Sequence, residues 1–347
     1  MTSDGTPSPA PSSVEHSPSS KHEQVGAWSA LWASKHRCDE SKPQEAALLH
    51  RIVPAQRLDG KACAAEVEAA LLERVKTLTA NGTIPHLAVL IVGDDPASHV
   101  YVNSKVKMCE RLGIRSTHIA LPATTTEETV RQHVAALNQQ EDLDGILIQS
   151  PLPDHMDEEA LTDLILPSKD VDGFHPQNLG RLVQGRRDGL LPCTPSGVMR
   201  MLDWAGIDLK GKRAVVLGRS RIVGMPAALL LAARGADATV TVAHSKTEDL
   251  PSVCAEADVL VAAVGRAEMV QASWVKPGAT VVDVGINRVD DASRERGWRL
   301  AGDVSPEVEH VASWLSPVPG GVGPMTIAML MENTVRSAES RHVGGTE

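Results

Sequence analysis

Apolar residues in the first half of the chain follow two spacings, one helical and one extended. Residues 59–79 repeat an apolar side chain every three to four positions, which predicts a helix, and the apolar run 86–92 predicts a buried strand. Asp95-Pro96 is typical of a helix start, and Gly113 is typical of its end. Further elements are predicted as strands over 114–121 and 145–149 and a helix over 126–137. Strands that alternate with helices in this way indicate a parallel sheet.

The same alternation continues in the second half. Four apolar runs predict buried strands, at 213–217, 238–243, 258–264 and 280–284. A glycine-containing turn at 218–224 follows the first of these strands and precedes an apolar helix at 225–234. This order of strand, turn and helix is typical of a dinucleotide-binding domain. A Pro- and Gly-rich segment, 317–324, leads into a last apolar helix predicted over 325–335.

The first 50 residues differ from the rest of the chain. They are rich in Ser, Pro, Glu and His and show no apolar period, which predicts a disordered tail. Their acidic residues are atypical of a transit peptide, so a cytoplasmic location is expected, with a mitochondrion or a plastid as alternatives. The remaining length suits two α/β domains rather than one.

Composition disfavours several functional classes. The chain has 347 residues, of which 42% are apolar and 22% charged, as in ordinary globular proteins. Its net charge of -10 disfavours nucleic-acid binding, and no apolar stretch is long enough to predict a membrane span. The 5 cysteines lack C-x-x-C spacing and the histidines lack metal-site spacing, so neither a disulfide framework nor a bound metal is expected.

One candidate for chemistry combines Tyr101, Lys105 and Gln149. Tyr101 and Lys105 are four residues apart on a predicted helix and therefore share one face. Gln149 ends a predicted strand, and ligands of open α/β sheets bind at the carboxyl ends of strands. A lysine that is partly desolvated there can act as a general acid or base. An ordinary surface pair of Tyr101 and Lys105 is the alternative.

A second candidate is the pair of alternate carboxylates Asp170 and Asp172 before Gly173. They could bind a divalent metal, although the sequence supplies no further oxygen ligands for one. They could equally accept hydrogen bonds from an amino-heterocycle, or form a solvated turn.

The turn at 218–224 is a candidate site for a nucleotide, because backbone N–H groups at a helix start can hold a pyrophosphate. The segment 244–247 follows the next strand and lacks the acidic residue that NAD sites usually place there. Ser245 and Arg219 could instead bind a 2′-phosphate, which favours NADP. The glycines of 317–324 would let the backbone approach a ligand, or would form a rigid turn between domains.

Together these segments resemble the methylenetetrahydrofolate dehydrogenase/cyclohydrolase family. The resemblance covers about residues 55–336 and rests on YVNSK, DGILIQSPLP, KDVDGFHP, GRSRIVGMP, HSKT, VDVGIN and PVPGGVGPMT, in that order. The stretch GRSRIVGMPAALLL and residues 289–302 resemble plant-type members most.

The resemblance implies a role for each matched residue. Lys105 matches the catalytic lysine, Gln149 its partner and Asp172 the carboxylate that holds the pterin. Tyr101 matches the aromatic residue that stacks on the folate. The other implied substrate contacts are Val102, Asn103, Ser104, Ile148, Ser150, Pro319, Gly320, Gly321, Val322 and Gly323. The implied nucleotide contacts are Gly218, Arg219, Ser220, Ser245 and Ile286. Ser150 departs from the family, because many members have leucine there.

The family's fold is α/β, with an N-terminal three-layer α/β catalytic domain plus a Rossmann-like NADP-binding domain. The implied boundaries are 51–196 for the folate-binding catalytic domain, completed by 317–340 as the C-terminal helix returns to it, and 197–316 for the NADP-binding domain. Members are typically homodimers. They oxidise 5,10-methylenetetrahydrofolate with NADP and hydrolyse the product to 10-formyltetrahydrofolate.

Two alternatives to this bifunctional enzyme stay open. One is a dehydrogenase that has little cyclohydrolase activity or uses NAD, and the other is a catalytically silent dinucleotide-binding protein. The sequence has no G-x-x-x-x-G-K-[ST] loop, so the formate-ligase activity of larger relatives is not expected.

Overall fold

A computed structural model of the chain describes residues 54–344, so the predicted tail lies outside the described residues. The first part of the fold holds a three-stranded parallel sheet of order β3-β2-β4. Its elements, with one short strand that joins another sheet, are β1 (Gln56–Arg57), α1 (Gly60–Ala80), β2 (His86–Val92), α2 (Pro96–Leu112), β3 (Arg115–Leu121), α3 (Glu127–Asn138), β4 (Gly145–Ile148), α4 (Glu158–Thr162), α5 (Pro176–Val183) and α6 (Cys193–Trp204).

The central strand β2 separates two layers of helices. All seven of its residues are buried. Leu87 and Val89 belong to a core that also contains residues of α1 and α2, whereas Ala88 and Leu90 pack with the apolar face of α3. Because successive side chains of a strand point to opposite faces, one continuous apolar run supplies both cores. The predicted three-layer arrangement is confirmed.

Helix ends in this part follow from local side chains. The Asp59 carboxylate accepts hydrogen bonds from the backbone of Lys61 and Ala62 at the start of α1. Asp95 caps α2 in the same way, with Pro96 in the first turn, and α2 ends at Gly113, whose φ is 75°. These starts and stops were predicted, because each depends on residues a few positions apart.

The second part of the fold holds a six-stranded sheet of order β1-β11-β8-β7-β5-β6, in which every pairing is parallel. The chain runs from β5 outward to β6 and then returns to β7 on the other side of β5. Such a reversal opens a crevice at the carboxyl ends of the strands. Its elements are β5 (Arg213–Leu217), α7 (Gly224–Ala232), β6 (Thr239–Ala243), α8 (Leu250–Ala255), β7 (Val259–Ala262), β8 (Thr280–Asp283), β9 (Asn287–Asp290), β10 (Trp298–Ala301) and β11 (Trp314–Leu315).

Two features differ from the sequence prediction. The strand β1 pairs with β11 in the second sheet, although residues 56–57 fall within the range predicted to form the first domain, 51–196. In addition, β9 and β10 form an antiparallel hairpin, where Arg296 and Arg288 stack on Trp298 at 4.2 and 4.8 Å from the ring centroid. Both features depend on main-chain pairing or on cation–π contacts, which leave no apolar period in the sequence.

The last helix, α9 (Val322–Gly344), is longer than predicted. It packs against α1 and α6, and it also contacts β2 and β4, so the predicted return to the first domain is confirmed. Arg74 of α1 binds Glu332 and Glu339 of α9 at 2.7–2.8 Å. Within residues 54–344, no helix is long and apolar enough to cross a membrane.

Candidate active site

Lys105 lies on α2 and points toward the end of β4. Its Nζ donates a hydrogen bond to Gln149 Oε1 at 2.8 Å, and the residue is only 9% exposed. Gln149 is held in turn by the sheet, because its backbone N–H donates to Leu90 O at 2.8 Å. Burial lowers the pKa of Lys105, whereas the nearby Asp172 and Cys193 oppose that shift. The arrangement therefore favours an amine that can exchange a proton more readily than an exposed lysine.

Asp170 and Asp172 have different environments. Asp170 is 1% exposed and accepts hydrogen bonds from the backbone of Gly173, Phe174 and His175, as well as from the side chain of Asn178. Its carboxylate therefore shapes the loop.

Asp172 borders a small cavity together with Ser150, Glu158 and Arg221, and Asp170 also borders it. Burial raises its pKa to about 6, an effect that Lys105 opposes and that Asp170 and Glu158 reinforce. Within residues 54–344, no group of three His, Cys, Asp or Glu side chains could hold a metal ion.

The backbone before Asp172 is fixed by residues that sequence reasoning missed. The Cys193 thiol donates to Val171 O at 3.1 Å, and Asn333 Nδ2 donates to both Val171 O and Leu191 O at 2.8 Å. Both side chains are buried. A lone asparagine in the apolar segment that forms α9 is the one sequence signal that could have indicated this contact.

A cleft of about 430 Å³ lies between the two sheets and is lined by both parts of the fold. Tyr101, which is 39% exposed, lies on one side, and Ile286 lies on the other. The predicted site residues that line this cleft are Tyr101, Ser104, Ile286, Pro319, Gly320, Gly321, Val322 and Gly323. Positive side chains also line it, namely Lys61, Lys107 and Arg111.

Other predicted substrate contacts lie elsewhere. Ile148 and Ser150 border the small cavity beside Asp172. The Ser150 hydroxyl donates to Glu158 Oε1 at 2.6 Å, so the departure from the family's leucine adds a polar pair. Val102 is 1% exposed and packs in the core, and Asn103 is exposed on α2 outside the lining of the cleft.

The loop at 319–323 rests on the first turn of α1. The backbone N–H of Lys61 donates to Gly320 O at 3.2 Å. A Cβ atom placed on Gly60 would lie 1.7 Å from the carbonyl oxygen of Gly321. The loop can therefore approach α1 this closely only because residue 60 lacks a side chain.

The turn after β5 is a cradle that only glycine can line. Gly218 has a φ of 123°, and a Cβ there would lie 2.2 Å from Ala263 O. A Cβ on Gly224 would lie 2.3 Å from Gly218 O. The Ser220 hydroxyl accepts from the backbone N–H groups of Val223 and Gly224 at 3.2 and 3.3 Å, which shapes the start of α7. The turn can therefore pack this closely against the end of β7 and against itself only because residues 218 and 224 lack side chains.

Arg219 and Ser245 are exposed and lie at the same edge of the sheet. The strands β5 and β6 are in register up to Leu217 and Ala243, and Gly218 N donates to Ala243 O at 2.9 Å. Each of the two side chains therefore follows its strand by two residues, which places a guanidinium and a hydroxyl at neighbouring strand ends. Arg221, to which the sequence assigned no role, joins this turn to α4 through an ion pair with Glu159 at 2.9 Å.

Both parts of the chain match family models. Residues 58–172 match the catalytic domain of tetrahydrofolate dehydrogenase/cyclohydrolase, and residues 192–342 match its NAD(P)-binding domain. The bifunctional protein FolD of Moorella thermoacetica is 52% identical over 287 residues, covering 82% of this chain and 99% of that protein. The FolD protein of Prosthecochloris aestuarii is 50% identical over 290 residues, covering 82% and 98%.

Solved structures agree with these matches. The bifunctional FolD methylenetetrahydrofolate dehydrogenase/cyclohydrolase of Campylobacter jejuni has a TM-score of 0.78 at 47% identity, covering 83% of this chain and 99% of that one. The Trypanosoma brucei enzyme, in complex with NADP and an inhibitor, has a TM-score of 0.79 at 40% identity, with coverage of 83% and 99%. This chain, with its buried Lys105–Gln149 pair and glycine-lined cradle, belongs to the tetrahydrofolate dehydrogenase/cyclohydrolase family.

Proposed function

We propose that this chain oxidises 5,10-methylenetetrahydrofolate to 5,10-methenyltetrahydrofolate with NADP and then hydrolyses that product to 10-formyltetrahydrofolate. The observation that carries the proposal is the buried hydrogen bond from Lys105 to Gln149 beside Asp172, in a fold whose other sheet presents a glycine-lined nucleotide cradle. A silent dinucleotide-binding protein would need the cradle but would have no use for a buried lysine beside the cleft.

The folate is held on the side of the first sheet. Tyr101 offers a half-buried aromatic face for stacking on the pterin, and Asp172 accepts hydrogen bonds from the pterin's N–H groups. The loop 319–323 covers the substrate from the other end of the cleft. Ser104 lines the cleft, and Ile148 and Ser150 border the small cavity beside Asp172. Val102 supports α2 from the core, and Asn103 lies on the exposed side of α2, outside the cleft lining.

Oxidation depends mainly on orientation. When bound, NADP supplies the acceptor for the hydride that leaves the methylene carbon, and the carbon is left as a methenyl cation. The chain's own contribution is to hold the reacting faces in contact across the cleft, with Tyr101 on one side and Ile286 on the other. No side-chain proton transfer is required in this step.

Hydrolysis requires protons to move. Water adds to the methenyl carbon and loses both of its protons as the formyl carbonyl forms, the bond from that carbon to N5 breaks, and N5 gains one proton, which yields 10-formyltetrahydrofolate and releases one net proton. Lys105 can accept a proton from the water and deliver one to N5, because burial lowers its pKa. Gln149 Oε1 fixes the position of the amine without adding a charge to the site.

NADP rather than NAD is the proposed oxidant. The glycine-lined turn is the proposed site of the pyrophosphate, and the exposed Arg219 and Ser245, at neighbouring strand ends, are the proposed contacts of the 2′-phosphate. Arg219 offers a planar fork of donors that matches a phosphate group. Ser220 contributes by shaping the turn.

Replacing Arg219 with alanine is expected to weaken NADP binding by roughly 1.5–3 kcal/mol, the value of a charge-assisted hydrogen bond, and to change NAD binding far less. Titration calorimetry with each nucleotide measures the difference. Arg221→Ala is the matched control, because it removes the same charge from the same turn but Arg221 pairs with Glu159. Equal losses for NADP and NAD in Arg219→Ala would show that Arg219 does not bind the 2′-phosphate.

Absorbance monitoring of the purified protein with methylenetetrahydrofolate and NADP tests the function as a whole. The proposal predicts NADPH formation followed by conversion of the methenyl intermediate faster than its spontaneous hydrolysis. Accumulation of the methenyl product would indicate a dehydrogenase alone, and faster turnover with NAD would refute the assigned oxidant. Absence of both reactions would favour the silent binding protein.

The proposal also includes features that the sequence resemblance implies. They are membership of the plant-type group, a homodimeric state and a location in the cytoplasm. They also include a division into a folate-binding catalytic domain over 51–196, completed by 317–340, and an NADP-binding domain over 197–316. The family-model boundaries at 172 and 192 and the packing of α9 on α1 are consistent with that division.

A further inference from the structure

Two buried carboxylates, Asp283 and Asp303, follow strands of the second sheet, and Asp283 is among the residues that line the cleft. Asp283 ends β8 and is 4% exposed, and Asp303 follows β10 and is 0% exposed. Neither residue has a role in the mechanism described above. Buried carboxylates are costly unless hydrogen bonds satisfy them, so their partners show what they hold in place.

Asp303 accepts four hydrogen bonds, from Val264 N at 2.6 Å and from Gly265 N, Arg266 N and Asn287 Nδ2 at 2.9 Å. The first three donors are successive backbone N–H groups just after β7, and Asn287 begins β9 just after β8. One carboxylate thus fastens together the segments that follow two neighbouring strands. An asparagine in its place would present an NH₂ group to N–H donors and would leave some of them without an acceptor.

Asp283 performs the same task for neighbouring segments. Its Oδ1 accepts from Gly285 N at 3.0 Å and from Asp303 N at 2.8 Å, and its Oδ2 accepts from Val304 N at 3.0 Å. The backbone N–H of Asp283 also donates to Ser316 Oγ at 2.7 Å, directly before the loop that covers the substrate. The two carboxylates therefore link the backbone after β7, β8 and β10, whereas the contact with Ser316 is made by the main chain of Asp283 and not by its carboxylate.

The backbone closes directly on these carboxylates. A Cβ placed on Gly302 would lie 1.8 Å from Asp283 Oδ2, and a Cβ placed on Gly285 would lie 2.3 Å from Asp303 Oδ1. No side chain fits between the segments and the carboxylates, so the positions of the two carboxylates set the shape of the surface above them. That surface carries Ile286 and lines the cleft.

The order of strands indicates which half of the nucleotide meets this surface. Ser245 follows β6, on one side of β5, whereas the segments held by the two carboxylates follow β7 and β8 on the other side. With the pyrophosphate at Gly218 and the adenine ribose toward β6, the nicotinamide half extends over β7 and β8 toward Tyr101.

We propose that Asp283 and Asp303 are positioning residues that hold the backbone surface on which the nicotinamide half of the dinucleotide lies, so that oxidation depends on them and hydrolysis does not. This inference rests on the proposed function, which supplies the two reactions. Asp283 and Asp303 are assigned to oxidation alone, because the first sheet, and not the second, holds the Lys105–Gln149 pair that serves hydrolysis.

Three variants test the inference on the full chain. Asp303→Asn is expected to raise the Kd for NADP and to lower dehydrogenase kcat/KM by at least about tenfold. Hydrolysis of methenyltetrahydrofolate, measured without nucleotide, is expected to stay within about twofold of the wild-type rate. Asn287→Ala removes one of the donors to Asp303 and is expected to shift the same quantities in the same direction by less. Asp290→Asn removes an equal charge from an exposed position on β9 and is expected to change neither activity.

The rate of hydrolysis also reports whether each variant is folded. If Asp303→Asn does not fold, the Kd for NADP and the two activities of Asn287→Ala test the inference in its place. An unchanged NADP affinity in the variants, or equal proportional losses of the two activities, would overturn the inference. A wild-type protein without dehydrogenase activity would refute the proposed function, whereas the Kd of the variants for NADP would still test the positioning role.

Discussion

Replacing Lys105 with methionine is expected to lower cyclohydrolase turnover by about 10²–10⁴-fold, the usual contribution of a general acid or base. Methionine is similar in length to the apolar stem of lysine but has no amine and therefore no proton to exchange. Burial lowers the pKa of the Lys105 amine and its Nζ bonds to Gln149, so a water molecule is not expected to replace it efficiently. The measurement is hydrolysis of methenyltetrahydrofolate above its spontaneous rate, with folate binding measured in parallel.

Dehydrogenase activity in Lys105→Met is expected to fall less than cyclohydrolase activity, because hydride transfer needs orientation but no proton relay. Lys76→Met is the matched control, since Lys76 lies on the exposed side of α1 and pairs with Glu73 at the surface. If the Lys105 variant binds folate and hydrolyses the methenyl compound at the wild-type rate, the lysine is not the catalytic group.

Replacing Gly60 with alanine is expected to lower kcat/KM for folate by about 10–100-fold in both reactions, because misplacement of a substrate contact by about 1 Å can cost that much. The added Cβ would lie 1.7 Å from Gly321 O, so either the loop at 319–323 or the first turn of α1 must move. Overpacking of this kind also costs about 1–3 kcal/mol of stability. Steady-state kinetics with each substrate and a denaturant melt measure the two effects.

Gly180→Ala is the matched control for Gly60→Ala. Gly180 lies within α5, and a Cβ there would meet nothing within 4 Å. The same substitution is expected to leave both activities unchanged and to stabilise the protein slightly, by about 0.5–1 kcal/mol, because glycine is costly inside a helix. Normal folate kinetics in Gly60→Ala would show that the loop does not depend on its close approach to α1.

Local chemistry explains what the sequence predicted. The cap of Asp95 and the stop at Gly113 depend on residues a few positions away, and β2 and β4 were predicted from their buried apolar runs. Because parallel strands end at one edge, Lys105 and Gln149 were expected to meet, and the structure places them 2.8 Å apart.

What the sequence did not predict depends on partners far along the chain. Asp303 binds backbone N–H groups almost 40 positions away, and Asn333 binds Val171 O across 162 positions. Backbone donors leave no mark on side-chain pattern, so nothing local distinguishes Asp303 from a surface aspartate. Asp283 gave one signal, since it is a single carboxylate at the end of an otherwise apolar strand.

One cleft is proposed to perform both reactions, and inhibition by a folate analogue that can be neither oxidised nor hydrolysed tests whether they share a site. Its inhibition constant would be measured for the dehydrogenase and for the cyclohydrolase, with NADP present in both assays. A single site that holds the folate between Tyr101 and the loop at 319–323 predicts the same inhibition constant for the two activities. An analogue concentration that abolishes one activity and leaves the other at its uninhibited rate would show that the two reactions use separate folate sites.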